Sequence, residues 1–281
     1  MAPSSNVKSL VDQMPDADKR QMYCQNIDKD KIDKAVAELC KGGADSILGV
    51  IDMLAEPGGA EDYKAHYALH CLAVHVCKLE DDKPRRELAW TLASQITGGR
   101  PKGVRKYLVR ELQVAGGKAE APALGKVLTD PELCEPAAQA LVAIGDGAAE
   151  QLRSALPKVK GKCRVTVAQN LGAVGDAGSV DALKAAAGDA DEAVRVAAAW
   201  ALANIGDAAA ADALIKAADA NPGWERIQAA KACLLLAEKL LAAGKKAEAR
   251  TIYAHLRETR KDPAETYIRQ AAEKALADIK Q

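Results

Sequence analysis

Four short segments, LQVAGG, LVAIGD, LGAVGD and LANIGD, place their first glycine at positions 116, 145, 175 and 206, in steps of 29, 30 and 31 residues. A period of this length limits the chain to architectures built from one repeated supersecondary unit, because such a unit buries its apolar face only against its neighbours. Each turn closes an Ala-rich run with helical periodicity and opens a second, shorter one, as in PAAQALVAIGD followed by GAAEQLRSAL. Glycine at the end of a helix permits a left-handed cap, and the aspartates that follow at 146, 176 and 207 are suited to cap the next helix. The unit is therefore a helix pair.

Counting back eleven residues from those glycines gives Arg105, Cys134, Arg164 and Arg195, near the start of one helix of each pair. Arg226 in GWERIQAAKACLLLA and Arg269 in TYIRQAAEKALADI occupy comparable places, which carries the array to the C-terminal end with a longer penultimate unit. Composition agrees with close helix packing. There is no Phe, aromatic residues make up 3%, and the apolar content of 49% comes largely from Ala, Leu and Val.

The segment DADEAVRVAAAWALANIGD resembles a HEAT-like repeat of the short kind first named from phycobilisome lyases, with Asp189 six residues before Arg195 at the family's Asp and Arg positions. The resemblance is strongest over residues 117–207 and implies that these are ladder residues, bonding between or within repeats. Two units depart from it: Cys134 replaces the arginine in one, and Lys158 stands where an aspartate precedes Arg164. The stretch 235–258 is similar to a tetratricopeptide-type hairpin.

The expected fold is all-α, a right-handed α-solenoid of about seven antiparallel helix pairs forming a single array over 1–281. Residues 1–60 form a divergent N-terminal cap, 61–116 divergent repeats, 117–207 the regular repeats, and 208–281 the C-terminal repeats and cap. From Met1 to Asp62 acidic residues outnumber basic ones, which suits a solvent-facing end repeat. The divergent helices are separated by GG, PGG and DDKP.

HYALHCLAVHVC, residues 66–77, holds three of the four histidines and two of the seven cysteines. On a helical wheel His66, His70 and Cys77 fall within a narrow arc, with His75 opposite and Cys71 well apart. His at i and i+4 is a zinc-binding spacing, so His66 and His70 are candidate metal ligands that need a further ligand from a neighbouring helix. Cys77 lies about 10 Å from His70 along the axis, too far to share an ion with it. Register offers a structural alternative, since aligning this helix with GVRKYLVRELQVAGG puts His66 at the ladder position and Cys77 at the turn glycine.

Catalytic chemistry has little to stand on. The sequence contains no G-x-S-x-G elbow, phosphate-binding loop or H-E-x-x-H motif, and the GD and GG pairs are repeat turns. The seven cysteines are odd in number, scattered and without a C-x-x-C pair, which argues against a disulfide framework and for small apolar packing residues. The chain is expected not to be an enzyme and to need no cofactor.

Formal net charge is zero, from 39 basic and 39 acidic residues, so no global field favours nucleic acid or membrane. The opening residues have no signal-peptide core and no window of about 18 apolar residues reads as a membrane span, so a soluble, cytoplasmic protein is expected. Two local basic clusters remain: GGRPKGVRKYLVRE, with Arg100, Lys102, Arg105, Lys106 and Arg110, and KVKGKCR, with Lys158, Lys160, Lys162 and Arg164. Trp200 and Trp224 are candidate contact residues, since tryptophan is enriched at binding hot spots.

These features favour a non-catalytic scaffold or adaptor that binds a protein or peptide on the concave face, with Arg105, Arg110, Arg164, Arg195, Trp200, Trp224 and Arg226 as candidate binding residues. One alternative is an enzyme-associated module of the bilin-lyase kind holding a prosthetic group or substrate. The other is nucleic-acid binding through a basic edge.

Overall fold

The computed structural model describes residues 3–18, 23–56 and 62–279, and it separates into two compact units, 1–148 and 149–281. The PGG separator at 57–59 lies outside the described residues. Among the described residues the chain is helical apart from one two-residue β pairing, as the repeat period requires.

In the first unit α1 (Ser5–Val11) is capped by the Ser4 side chain, which accepts from the Val7 amide. A short antiparallel pairing of β1 (Asp16–Ala17) with β2 (Cys24–Gln25) follows. The helices α2 (Lys29–Lys41), α4 (Tyr63–Val76), α6 (Lys102–Ala115) and α8 (Cys134–Ile144) then pack side by side as one layer. Between them in sequence, α3 (Gly43–Ile51), α5 (Lys83–Ile96) and α7 (Ala121–Val127) form a second layer. α2 shows the logic at residue level: Asp28 caps it by accepting from the Lys31 amide, and Ile32, Ala35, Val36 and Leu39 are the buried stripe at helical spacing. α1 lies against α2 and α3 and buries Val7 and Val11, which covers the end of the stack. The β pairing within this capping region carried no signal in the apolar periodicity.

The second unit repeats the plan. α10 (Gly161–Val174), α12 (Glu192–Ile205), α14 (Trp224–Ala242) and α16 (Thr266–Ile279) form one layer. α11 (Val180–Ala186), α13 (Ala211–Ala218) and α15 (Lys246–Thr259) form the other, preceded by α9 (Ala148–Ala155). α14 and α15 are the longer pair expected near 235–258, closed by Gly244 at φ +78°.

The turn chemistry holds at two of the four repeat glycines. Gly175 and Gly206 adopt left-handed caps at φ +71° and +77°, and Asp176 and Asp207 then accept from the Gly178 and Ala209 amides. Gly116 differs, with φ −66°. Its reason is space rather than handedness: a Cβ there would stand 2.4 Å from the Leu112 carbonyl oxygen and 3.0 Å from Ile144.

Candidate functional site

The ladder arginines are already engaged. Arg105 on α6 donates to the Ile96 carbonyl at 2.6 Å and stands 3.5 Å from Asp130, just before α8. In the second unit Arg164 on α10 pairs with Asp189 at 2.8 Å, ahead of α12. Arg195 on α12 makes a two-pronged pair with Glu225 at 2.5 and 2.6 Å and also donates to the Asp189 and Ala190 carbonyls. Arg226 on α14 binds Glu265 in the same two-pronged way at 2.9 and 2.6 Å. Each guanidinium thus ties its helix to the entry of the next helix of the layer, which is the role the resemblance implies. Hydrogen bonding and charge from Arg195 hold the Glu225 carboxyl below the usual carboxylate range.

The other candidate contacts differ in their freedom. Arg110 is exposed, and Trp224 is 56% exposed at the start of α14. Trp200 is half-buried, its indole N–H donating to Gln228 at 3.3 Å. In the first basic cluster Arg100 is bound to Asp52 at 2.6 Å and Gln95 at 2.7 Å, so two of its five cations serve the scaffold. In the second, Lys158 donates to Ser154 and Arg164 is the ladder residue.

The histidine helix is α4, and its two aligned imidazoles turn to different carboxylates. His66 Nδ1 lies 3.2 Å from Asp62, one turn back, whereas His70 Nδ1 lies 3.2 Å from Glu111, a buried residue of α6. Among the described residues no group of three His, Cys, Asp or Glu side chains is arranged to hold a metal ion. The candidate His66 and His70 metal pair has no third ligand arranged beside it among the described residues: Asp62 lies with one imidazole and Glu111 with the other.

At the ladder position His66 pairs back with Asp62 rather than forward with a carboxylate, and several contacts supply the link to the next repeat. The Tyr107 hydroxyl of α6 donates to the His66 carbonyl at 2.6 Å, its ring meets the His66 ring edge-on at 4.2 Å, and His70 reaches Glu111. Cys77 caps α4 where other repeats have the turn glycine, its thiol donating to the Val114 carbonyl.

The same face of α4 forms a cavity of about 390 Å³ with α6 and the β pairing, lined chiefly by Tyr23, Tyr63, His66, Tyr67, His70 and Tyr107, with Asp62 and Cys24 beside them. Four of the six tyrosines of an aromatic-poor chain meet here. A second cavity of about 290 Å³, between Asp33 and Val36 of α2 and Cys71, Val74 and His75 of α4, shares His70 as its wall. The two form a continuous surface along α4.

Burial first and the Glu111 charge second raise the Tyr107 phenol well above its ordinary value, and burial with neighbouring thiols raises that of Tyr67. Both therefore face the cavity as neutral rings. Burial also raises the Cys71 thiol, which keeps it protonated. Sequence reasoning did not single out these tyrosines. The available signal was Tyr63 and Tyr67 at i, i+4 interleaved with His66 and His70 at the same spacing.

Residues 149–234 match the HEAT repeats family. A search of curated protein sequences finds no match. Among solved structures, an engineered protein is similar at 21% identity and TM-score 0.46, over 98% of this chain and 78% of that one. The complex of CpcE and CpcF of phycocyanin lyase from Nostoc sp. PCC7120 is similar at 19% identity and TM-score 0.40, over 82% and 94%. Human deoxyhypusine hydroxylase in complex with glycerol is similar at 18% identity and TM-score 0.34, over 97% and 95%.

Proposed function

We propose that this chain, whose helix pairs are HEAT-like repeats, is a non-catalytic scaffold or adaptor that binds a protein or peptide along α4, in the tyrosine-lined cavity and its continuation past His70. The observation that carries this reading is the gathering of Tyr23, Tyr63, Tyr67 and Tyr107 at one cavity in a chain with six tyrosines and no Phe. Tyrosine offers a large rigid contact with a polar tip, which is why it dominates binding hot spots. Two further observations favour binding over catalysis. Burial pushes the Cys71 thiol beside the cavity toward its protonated form and raises the Tyr67 and Tyr107 phenols, so none of these three is an activated nucleophile. The ladder arginines, engaged with Asp130, Asp189, Glu225 and Glu265, are scaffold elements in this reading. Arg105 and Arg164 belong to the two basic clusters, so their engagement leaves that edge fewer cations for the nucleic-acid alternative.

A photo-crosslinking amino acid placed at Tyr67 is expected to give a discrete protein adduct in native lysate. The same group at Trp90, an exposed residue of α5 in the other layer, is expected to give none. Adducts from position 90 alone would overturn the assignment.

A further inference from the structure

The sign of charge around the cavity points to the chemistry of what enters it. The ring faces of Tyr23, Tyr63, Tyr67 and Tyr107 are electron-rich, and aromatic faces of this kind attract Lys, Arg or alkylammonium cations within about 6 Å. Asp62 lines the cavity, and Glu111 stands behind His70 and Tyr107 with its side chain only 5% exposed. Among the described residues that line this cavity there is no lysine or arginine. Lys64, next in sequence to Tyr63, is turned away and held by Asp16 at 2.9 Å and the Asp12 carbonyl at 3.1 Å. The adjoining cavity adds Asp33, with Lys78 the one lysine or arginine among its described lining residues.

An anionic ligand would face the Asp62 carboxylate with Glu111 behind it, each beside a histidine, and no lysine or arginine among the described lining residues to offset them. A neutral apolar side chain would gain burial but nothing from the carboxylates or the ring quadrupoles. A basic side chain gains from all three.

We propose that this cavity is an aromatic cage for a basic side chain, an arginine or lysine, presented by the protein or peptide that the chain binds. The inference rests on the binding role assigned to this surface and adds the charge of the occupant. Tyr107 is the fixed wall, since its hydroxyl is tied to the His66 carbonyl. Tyr23, 70% exposed and immediately before β2, is the outer wall that the entering side chain contacts last.

The test uses the full-length chain, isotopically labelled, titrated with the peptides acetyl-Gly-Gly-Arg-Gly-Gly-amide and its Lys counterpart. The control peptide has citrulline in place of arginine, with nearly the same shape and no charge. The charged peptides are expected to shift amide resonances of residues 62–70 and 107 saturably, with at least about tenfold weaker binding of the citrulline peptide. Tyr67→Ala is expected to abolish the shifts, and Tyr23→Ala, at an exposed position that folding does not depend on, to weaken them. Equal binding of the citrulline peptide would overturn the charge assignment while leaving crosslinking from position 67 intact. No shift with any peptide would overturn it too, whereas failure of the crosslink at position 67 would remove the binding role itself.

Discussion

Glu265→Ala is expected to destabilise the second unit by about 3–5 kcal/mol, the cost of breaking a buried charge network by deleting one member. Glu265 is 3% exposed and stands between two guanidiniums. Arg226 binds it with both prongs, and Arg260, 1% exposed, lies 3.7 Å from it. Arg260 is held in turn by Asp219 at 2.7 Å and by the Ala218 carbonyl, at the end of α13. The buried carboxylate is therefore shared by two arginines, one of them almost fully buried. With alanine there, the Arg226 pair is lost and two like charges face each other across a cavity. Urea unfolding read by helical circular dichroism measures the loss. Arg269→Ala is the control, because its partner Glu273 is a half-exposed i, i+4 neighbour at 3.7 Å, and a change within about 0.5 kcal/mol is expected. Equal costs for the two variants would contradict the network.

Gly172→Val is expected to cost about 3 kcal/mol, at the upper end of the usual range for overpacking a core. Gly172 lies within α10 where α12 passes closest. A Cβ there would stand 2.6 Å from the Ala201 Cα and 2.9 Å from its Cβ. Backbone cannot step aside as a flexible side chain can, so α10 and α12 must separate and loosen the shared Ala-rich surface. The same urea measurement applies, with Gly188→Ala as control, since its nearest contact is an ordinary 3.5 Å. A cost below about 1 kcal/mol for Gly172→Val would show that the two helices do not touch as closely as described.

Both residues bear on how much was legible in the sequence. The helix pairs were, because the turn glycines and their aspartates repeat at near-constant spacing and local capping decides where such helices end. The arginine ladder was also legible by position, as Arg105, Arg164, Arg195 and Arg226 all reach forward to the next helix. Their partners were legible only in part. Asp189 follows the family pattern, whereas Glu225, Glu265 and the accessory Arg260 depend on which loop residue lands beside the guanidinium. The cavity was not legible, since Tyr63 and Tyr67 meet Tyr107 only through the packing of α4 on α6, and Tyr23 arrives through a β pairing with no periodic signal. The histidine spacing suggested a shared ion because a helical wheel shows the alignment of His66 and His70 but not Glu111, which the packing of α6 brings to His70. Asp62 and Glu111 take the two imidazoles separately.

In the proposed reading arginines hold the repeats together and tyrosines of α4 and α6 meet the partner. The most direct measurement is affinity for the protein crosslinked from position 67, alongside the unfolding midpoint, for Tyr67→Ala and Arg195→Gln. The account predicts at least about tenfold weaker binding with little change in midpoint for Tyr67→Ala, and a lowered midpoint with unchanged affinity for Arg195→Gln. Affinity that falls with Arg195→Gln and survives Tyr67→Ala would contradict it.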